Sequence, residues 1–363
     1  MKIVSIETFT RGMLSVVRVT TDDGAEGFGQ IAPFHADIAA TVFHRQVAPH
    51  ALGADASDIG ALVEQILERE YKFPGSYVRR AVGGLDTALW DLRGKREGKS
   101  VCQLLGQRRK AIPAYGSSMR RDISPEDEAE RLARLRDQQG FRAFKIRIGK
   151  VCGHDEDQWP GRTEALVSTV HKTLGDDVSL LVDANSCYTP AKAIEVGRVL
   201  EDHGVCHFEE PCPYWEVEWT AEVSAALDVP VAGGEQDCFL WQWRRIVDLR
   251  AVNIAQPDIC YVGGLSRALR VARLAAEAGL PCVPHSANRS MVTVFTLHLL
   301  GAIENAGPYL EFSIEPDDWT HGLLRQPLVA RDGEVAVPDG PGWGVEIEPQ
   351  WLASANRQVS RQD

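Results

Sequence analysis

Three acidic residues close three short apolar runs: Asp183 in SLLVDANS, Glu209 in CHFEEP and Glu235 in PVAGGEQ. Carboxylates gathered at one point repel one another unless a cation sits among them. Their hard oxygen donors suit Mg²⁺ first and Mn²⁺ second. Further on, Asp258 follows Gln256-Pro257, His285 follows Val283-Pro284, and Glu311 follows Leu310. A histidine backed by a carboxylate is an acid–base pair, because the carboxylate fixes the tautomer and stabilises the imidazolium. Taken singly, each residue has a blander use: an acid at a strand end caps a helix, and a lone histidine sits in a core. The spacing favours chemistry. Asp183, Glu209 and Glu235 are 26 residues apart, and Asp258, His285 and Glu311 follow after 23, 27 and 26.

A strand, a helix and two connections take about 25 to 30 residues, which is one unit of a (β/α)₈ barrel. Residues closing successive barrel strands meet at the C-terminal face, where such barrels keep their active sites. Ile112–Gly116 reads as the first strand, and Ser124-Pro125-Glu126 opens a charged helix ending at Gly140. Ala143–Ile148 is the second strand; its alternation turns Phe144, Ile146 and Ile148 towards the helices, and Lys145 and Arg147 into the barrel. Thr189-Pro190 and Gly204 bracket the helix after the third strand, Gly263-Gly264 precedes a helix running to Gly279, and Tyr309–Phe312 is the eighth strand.

Ahead of the barrel, residues 2–30 read as a three-stranded meander with a hairpin turn at Asp23-Gly24. Helical patterns follow over 36–49, 57–70 and 77–98. The expected fold is α/β: a capping α+β domain over 1–110, a modified TIM-like barrel over 111–325, and a segment, 326–363, returning to the cap. Short strands around Asp332-Gly333 are part of that expected return. The 363 residues suffice for a barrel of about 250 plus a smaller domain.

A net charge of −12 excludes a surface built for nucleic acid. No stretch approaches the roughly 20 apolar residues of a membrane span, and Met1–Ser5 begins a strand rather than a signal peptide. The eight cysteines form no CxxC pair, which fits buried thiols in a reducing cytoplasm.

In the order and spacing of these motifs the chain resembles the enolase superfamily, in its mandelate racemase-like branch, over nearly its whole length. The Lys145-Ile146-Arg147 strand is similar to that family's KxK, and Asp183, Glu209 and Glu235 match its metal ligands. Gln256-Pro257-Asp258, Val283-Pro284-His285 and Leu310-Glu311 match its last three strands, and Gly84–Leu92 with Leu104-Leu105-Gly106 its link into the barrel. The resemblance implies Mg²⁺-assisted removal of the proton α to a carboxylate, the general scheme of enolase-superfamily sites. It implies His285 as base with Asp258 behind it, Lys145 against the substrate carboxylate, and Glu311 hydrogen-bonded to that carboxylate while protonated or sharing a proton.

Two features depart from the family. Arg147 stands where a second Lys base is usual, and a guanidinium clamps carboxylates far better than it accepts protons. Between Phe9 and Leu14 there are too few residues for a mobile specificity loop, leaving His35, His44 and Arg45 as candidate covers. Arg120 and Arg121 are candidates for a distal carboxylate, and Asn185 for ligand or metal-bound water. The expectation is a homo-oligomeric lyase that dehydrates a sugar acid, a small-molecule carboxylate, to a 2-keto-3-deoxy acid. An epimerase, a lactone cycloisomerase and a non-catalytic ligand-binding relative are the alternatives. A TIM-barrel aldolase would want a Schiff-base Lys or a His-rich metal site.

Overall fold

The computed structural model describes residues 1–72, 74–316 and 319–362. Strand Ile3–Arg11 pairs antiparallel with Leu14–Thr21, which pairs in turn with Glu26–Ile31. The first hairpin turns at Gly12, in the left-handed region at φ 58°, so no loop reaches from there over the barrel. A fourth strand, Asn356–Arg361, joins the far side of Ile3–Arg11 in register from Ser5↔Arg361 to Thr10↔Asn356. The strand expected after Asp332-Gly333 behaves differently: Glu334–Ala336 runs antiparallel to Pro113–Ala111 at the start of the first barrel strand. Val335 and Val337 are buried in the barrel core and hold it there, so the return to the cap is left to the final strand.

The barrel strands Ala111–Ser117, Ala143–Arg147, Ser179–Asp183, His207–Glu209, Val231–Gly233 and Ile254–Ala255 pair in parallel in chain order, and Leu310–Ser313 closes back on the first. The seventh strand is reduced to Cys282, which bridges Ala255 on one side and Ala306 on the other. Pro281 and Pro284 flank it and offer no N–H to a ladder. Phe144, Ile146 and Ile148 pack against Leu132, Leu166 and Val170 on the surrounding helices, as the alternation predicts. Inside, Tyr115, Ala143, Leu181 and Val283 form a small apolar cluster. Lys145, Asp183 and Glu209 are also fully buried, two strand positions nearer the C-terminal face, and buried Glu311 lies level with Tyr115.

Helix Ser76–Glu97 locks the cap to the barrel. Its Asp91 accepts the Phe28 N–H at 2.8 Å and the Trp343 N–H at 3.0 Å, and the Trp343 indole donates to the Thr87 carbonyl at 2.9 Å. Barrel residue Gly264 passes so close that a Cβ there would lie 2.3 Å from the Asp86 side chain.

Fully buried His298 belongs to the same junction: its Nδ1 accepts the Cys102 N–H at 2.9 Å and its Nε2 donates to the Trp343 carbonyl at 3.0 Å. That pattern requires the neutral ring, and burial pushes its pKa down to about 4. The unfolded ring takes its proton near pH 6.5, so His298 contributes full stability above that value and loses it as pH falls towards 4. The loss amounts to about 3 kcal/mol. Urea unfolding at pH 7.5 and 4.5 should show it, with a smaller pH-linked change in His298→Gln. Equal changes in the two proteins would remove His298 as the source.

Candidate active site

The third and fourth barrel strands end in step, Asp183 beside Glu209. After the fifth strand the chain turns through Gly234 at φ 109°, where any Cβ would sit 2.2 Å from the Trp243 ring. Only glycine passes that ring, and the turn brings Glu235 to the mouth. The Lys145 ammonium lies 2.6 Å from Glu209, 2.8 Å from Glu311 and 3.4 Å from Asp183. The other Glu209 oxygen accepts from Gln256 at 2.8 Å and faces His207 Nε2 at 3.0 Å. Glu311 also accepts from the Ser117 hydroxyl and the Ser286 N–H, each at 2.8 Å. Arg147 pairs with Asp183 and with the Asn185 side-chain oxygen.

His285 stands across from this cluster. Its Nδ1 lies 2.8 Å from Asp258, and the other Asp258 oxygen accepts the Tyr261 N–H at 2.9 Å. With Nδ1–H given to Asp258, Nε2 is the ring atom left to exchange a proton at the cavity, 3.4 Å from Glu235 Oε2. That separation is an ion-pair distance without hydrogen-bond geometry, so Glu235 Oε2 is buried with no donor.

The charges can be ranked by what surrounds them. Burial opposes the Lys145 charge, but Glu209 and Glu311 outweigh it and hold the ammonium well above its usual range. Burial likewise raises Glu209 and Glu311, yet Lys145 pulls both down, Glu311 to about 2. Without a substrate carboxylate beside it, Glu311 is thus paired to Lys145 as a carboxylate. Asp183 goes the other way: burial lifts it to about 7 against the pull of Arg147. Burial would depress His285, but Glu235, Asp258 and Glu311 carry it up to about 10.

The donor set decides whether a hard divalent cation fits. Among the described residues, no three His, Cys, Asp or Glu side chains already converge as a finished metal cage; Lys145 and Arg147 lie on the carboxylates instead. The donors themselves suit such an ion: all are oxygens, and Glu235 Oε2 and Glu210 Oε1 are buried without a partner. Burial, reinforced by neighbouring carboxylates, also raises Glu210 and Glu235 above the normal carboxylate range. Oxygen donors short of positive charge are what Mg²⁺ or Mn²⁺ would satisfy.

A cavity of about 800 Å³ opens above these groups, lined by Arg147, Asn185, Glu210, Glu235 and His285 among others. Lys145 lies beneath it, among the carboxylates. Arg121 also lines the cavity, but it donates to Asn185 at 2.8 Å and to the Gly149 carbonyl at 3.2 Å. Arg120 does not reach the cavity: the loop turns it outwards, where it pairs with Asp122 at 2.9 Å in solvent. Of the candidate covers, His35 lines the cavity, whereas His44 is held between Thr8 at 2.9 Å and Ser360 at 2.7 Å, and Arg45 is exposed elsewhere. The rim is aromatic: Phe34 and Trp319 lie 6.0 Å apart, and Tyr214 and Trp215 5.2 Å apart.

Glu210 was not singled out by the sequence. Strict alternation sends it away from the Glu209 side, but its φ of 41° turns it back to the mouth. The adjacent acid pair was the only available signal.

The chain matches the family model for the mandelate racemase / muconate lactonizing enzyme N-terminal domain over residues 2–106, and the enolase C-terminal domain-like model over 127–351. This chain belongs to the mandelate racemase/muconate lactonizing enzyme family. It is an enzyme of the enolase superfamily, and its relatives in that family are sugar-acid dehydratases and cycloisomerases. The arabinonate dehydratase of Saccharolobus solfataricus is 28% identical over 341 residues, covering 91% of this chain and 87% of that one. The D-galactarolactone cycloisomerase of Agrobacterium fabrum is 36% identical over 282 residues, 74% of this chain and 71% of that one. Among solved structures, a family member from Paracoccus denitrificans complexed with magnesium superposes with a TM-score of 0.90 at 30% identity, covering 99% of both chains. A protein from Roseobacter denitrificans, provisionally assigned as a racemase, reaches 0.98 at 59% identity over the whole of both chains. No helix among the described residues is long and apolar enough to cross a membrane.

Proposed function

We propose that this enzyme removes the proton α to the carboxylate of a sugar acid and expels the β-hydroxyl as water, giving a 2-keto-3-deoxy acid. The observation that carries this reading is the acid–base pair at the cavity, His285 backed by Asp258. Asp183, Glu209 and Glu235 are the residues that would hold Mg²⁺. When bound, the ion supplies positive charge that acidifies the α-proton and offsets the carboxylate field around His285.

The protein's own groups do the rest. His285 Nε2 takes the α-proton while Asp258 holds the ring and stabilises the imidazolium. The same imidazolium then returns the proton to the β-hydroxyl on that face, water leaves, and the enol tautomerises to the keto acid. Arg147, pinned by Asp183 and Asn185, binds substrate oxygens and keeps its proton. Racemisation needs a second proton donor on the opposite face; Arg147 is a poor one, and Lys145, bound to Glu209 and Glu311, would have to leave them to act as one. Cycloisomerisation is the second reading. It breaks a β C–O bond through the same pair, and a relative named for that reaction is 36% identical.

The test is a panel of aldonic, aldaric and uronic acids and their lactones with Mg²⁺, followed by NMR in D₂O. Dehydration gives a 2-keto-3-deoxy acid. A recovered C2 epimer carrying solvent deuterium, without keto acid, refutes the proposal. On the substrate so found, Arg147→Ala should raise KM or lower kcat by about 10- to 100-fold while His285-dependent α-hydrogen exchange persists. Loss of exchange in Arg147→Ala, with exchange retained in His285→Asn, would reverse the assignment of the base.

A further inference from the structure

We propose that Arg80 clamps a second carboxylate, so that the acid this enzyme takes is a dicarboxylic one. This deepens the reading above and rests on it. Helix Ser76–Glu97 begins at the cavity, and its first residues Ser76, Tyr77 and Arg80 line the cavity wall on the cap side. The Arg80 guanidinium lies 3.5 Å from the centre of the Tyr261 ring and is half-buried. No carboxylate among the described residues pairs with it.

The other arginines nearby are engaged differently. Arg147 pairs with Asp183, and Arg121 donates to Asn185 and to backbone. Arg79, on the neighbouring face of the same helix, donates to the Pro74 carbonyl at 2.7 Å and lies over the Phe239 ring. A partly desolvated guanidinium without an anion is unusual in a chain of net charge −12. A ligand carboxylate at Arg80 would supply that anion.

Geometry places the clamp relative to the chemistry. The Tyr261 ring lies 6.0 Å from the His285 ring, and the Tyr261 backbone N–H donates to Asp258. Arg80 is thus one aromatic ring removed from the base, on the same side of the cavity. An acid whose α-carbon meets His285 can extend its far end along Tyr261 to Arg80. Arg80 is stacked on Tyr261 and within hydrogen-bond reach of its hydroxyl, and the remaining N–H groups of its fork can take a carboxylate. The helix start favours an anion as well, since Gly75 gives no side-chain cap and the first turn carries no acid.

The experiment is calorimetric binding, with Mg²⁺ present, of matched pairs: galactarate against galactonate and glucarate against gluconate. The wild-type protein should bind at least one diacid about 10- to 100-fold more tightly than its monoacid. Arg80→Gln should bring that ratio close to one by weakening the diacid, and Arg80→Lys should restore part of it. A ratio unchanged by Arg80→Gln, or no diacid preference in the wild type, overturns the clamp. Deuterium exchange at the α-carbon, run in parallel, separates the two levels. Arg80-dependent diacid binding without exchange keeps the clamp and removes the chemistry; exchange without an Arg80-dependent preference does the reverse.

Discussion

His285→Asn should abolish turnover, lowering kcat/KM by about 10³-fold or more on any substrate the panel reveals. Asparagine is smaller but its amide can still donate to Asp258, and it has no atom that takes a proton at neutral pH. Exchange of the α-hydrogen with solvent should vanish together with product, because one ring is asked to perform both transfers. Asp258→Asn should lose less, since the base survives while its tautomer and its cationic form lose support. A His285→Asn protein within tenfold of wild type, with its fold intact by circular dichroism, would end the single-base mechanism.

The second large effect concerns the carboxylates. Glu209→Gln and Glu235→Gln should each weaken Mg²⁺ binding by about 100-fold or more, measured by calorimetry, since each removes a charged oxygen from a hard-ion donor set. Their stabilities should differ. Glu209 is fully buried against Lys145, His207 and Gln256, so its neutralisation leaves a buried ammonium with less counter-charge and lowers the Tm of the metal-free protein. Glu235 has an oxygen without any donor, so its neutralisation should leave the metal-free Tm unchanged or raised. Unaltered metal affinity in both variants would remove the ion from this cluster.

What was legible in the sequence was whatever obeys a period. The repeat of about 26 residues located the strand ends, and the alternation in Ala143–Arg147 put Lys145 and Arg147 on the inner face. What depends on a departure from periodicity was not legible. Glu210 reaches the mouth because one residue takes a left-handed φ, which alternation cannot anticipate. Arg120 and Arg121 are neighbours in one loop, and only the path of its backbone sends one outward and the other to the cavity. The seventh strand is nearly absent because two prolines flank its single bridged residue. Arg80 lies in the other domain, and its nearness to Tyr261 follows from how the cap docks.

The pairing of Ile3–Arg11 with Asn356–Arg361 also sets an order of events during synthesis. The first strand leaves the ribosome before any of the barrel, and its edge partner leaves after all of it. At about 5 to 20 residues per second, that interval is tens of seconds. Throughout it, one edge of the nascent cap presents unpaired N–H and C=O groups, the kind of edge that recruits other chains. The barrel can close meanwhile, because its strands pair with sequence neighbours and Leu310–Ser313 precedes the last strand. The cap edge beside Ile3–Arg11 is therefore completed last, after the helix that carries Arg80 has its own partners on Leu14–Thr21 and Glu26–Ile31. A translation pause shortly before residue 356 would lengthen the time for which that edge of Ile3–Arg11 stands open.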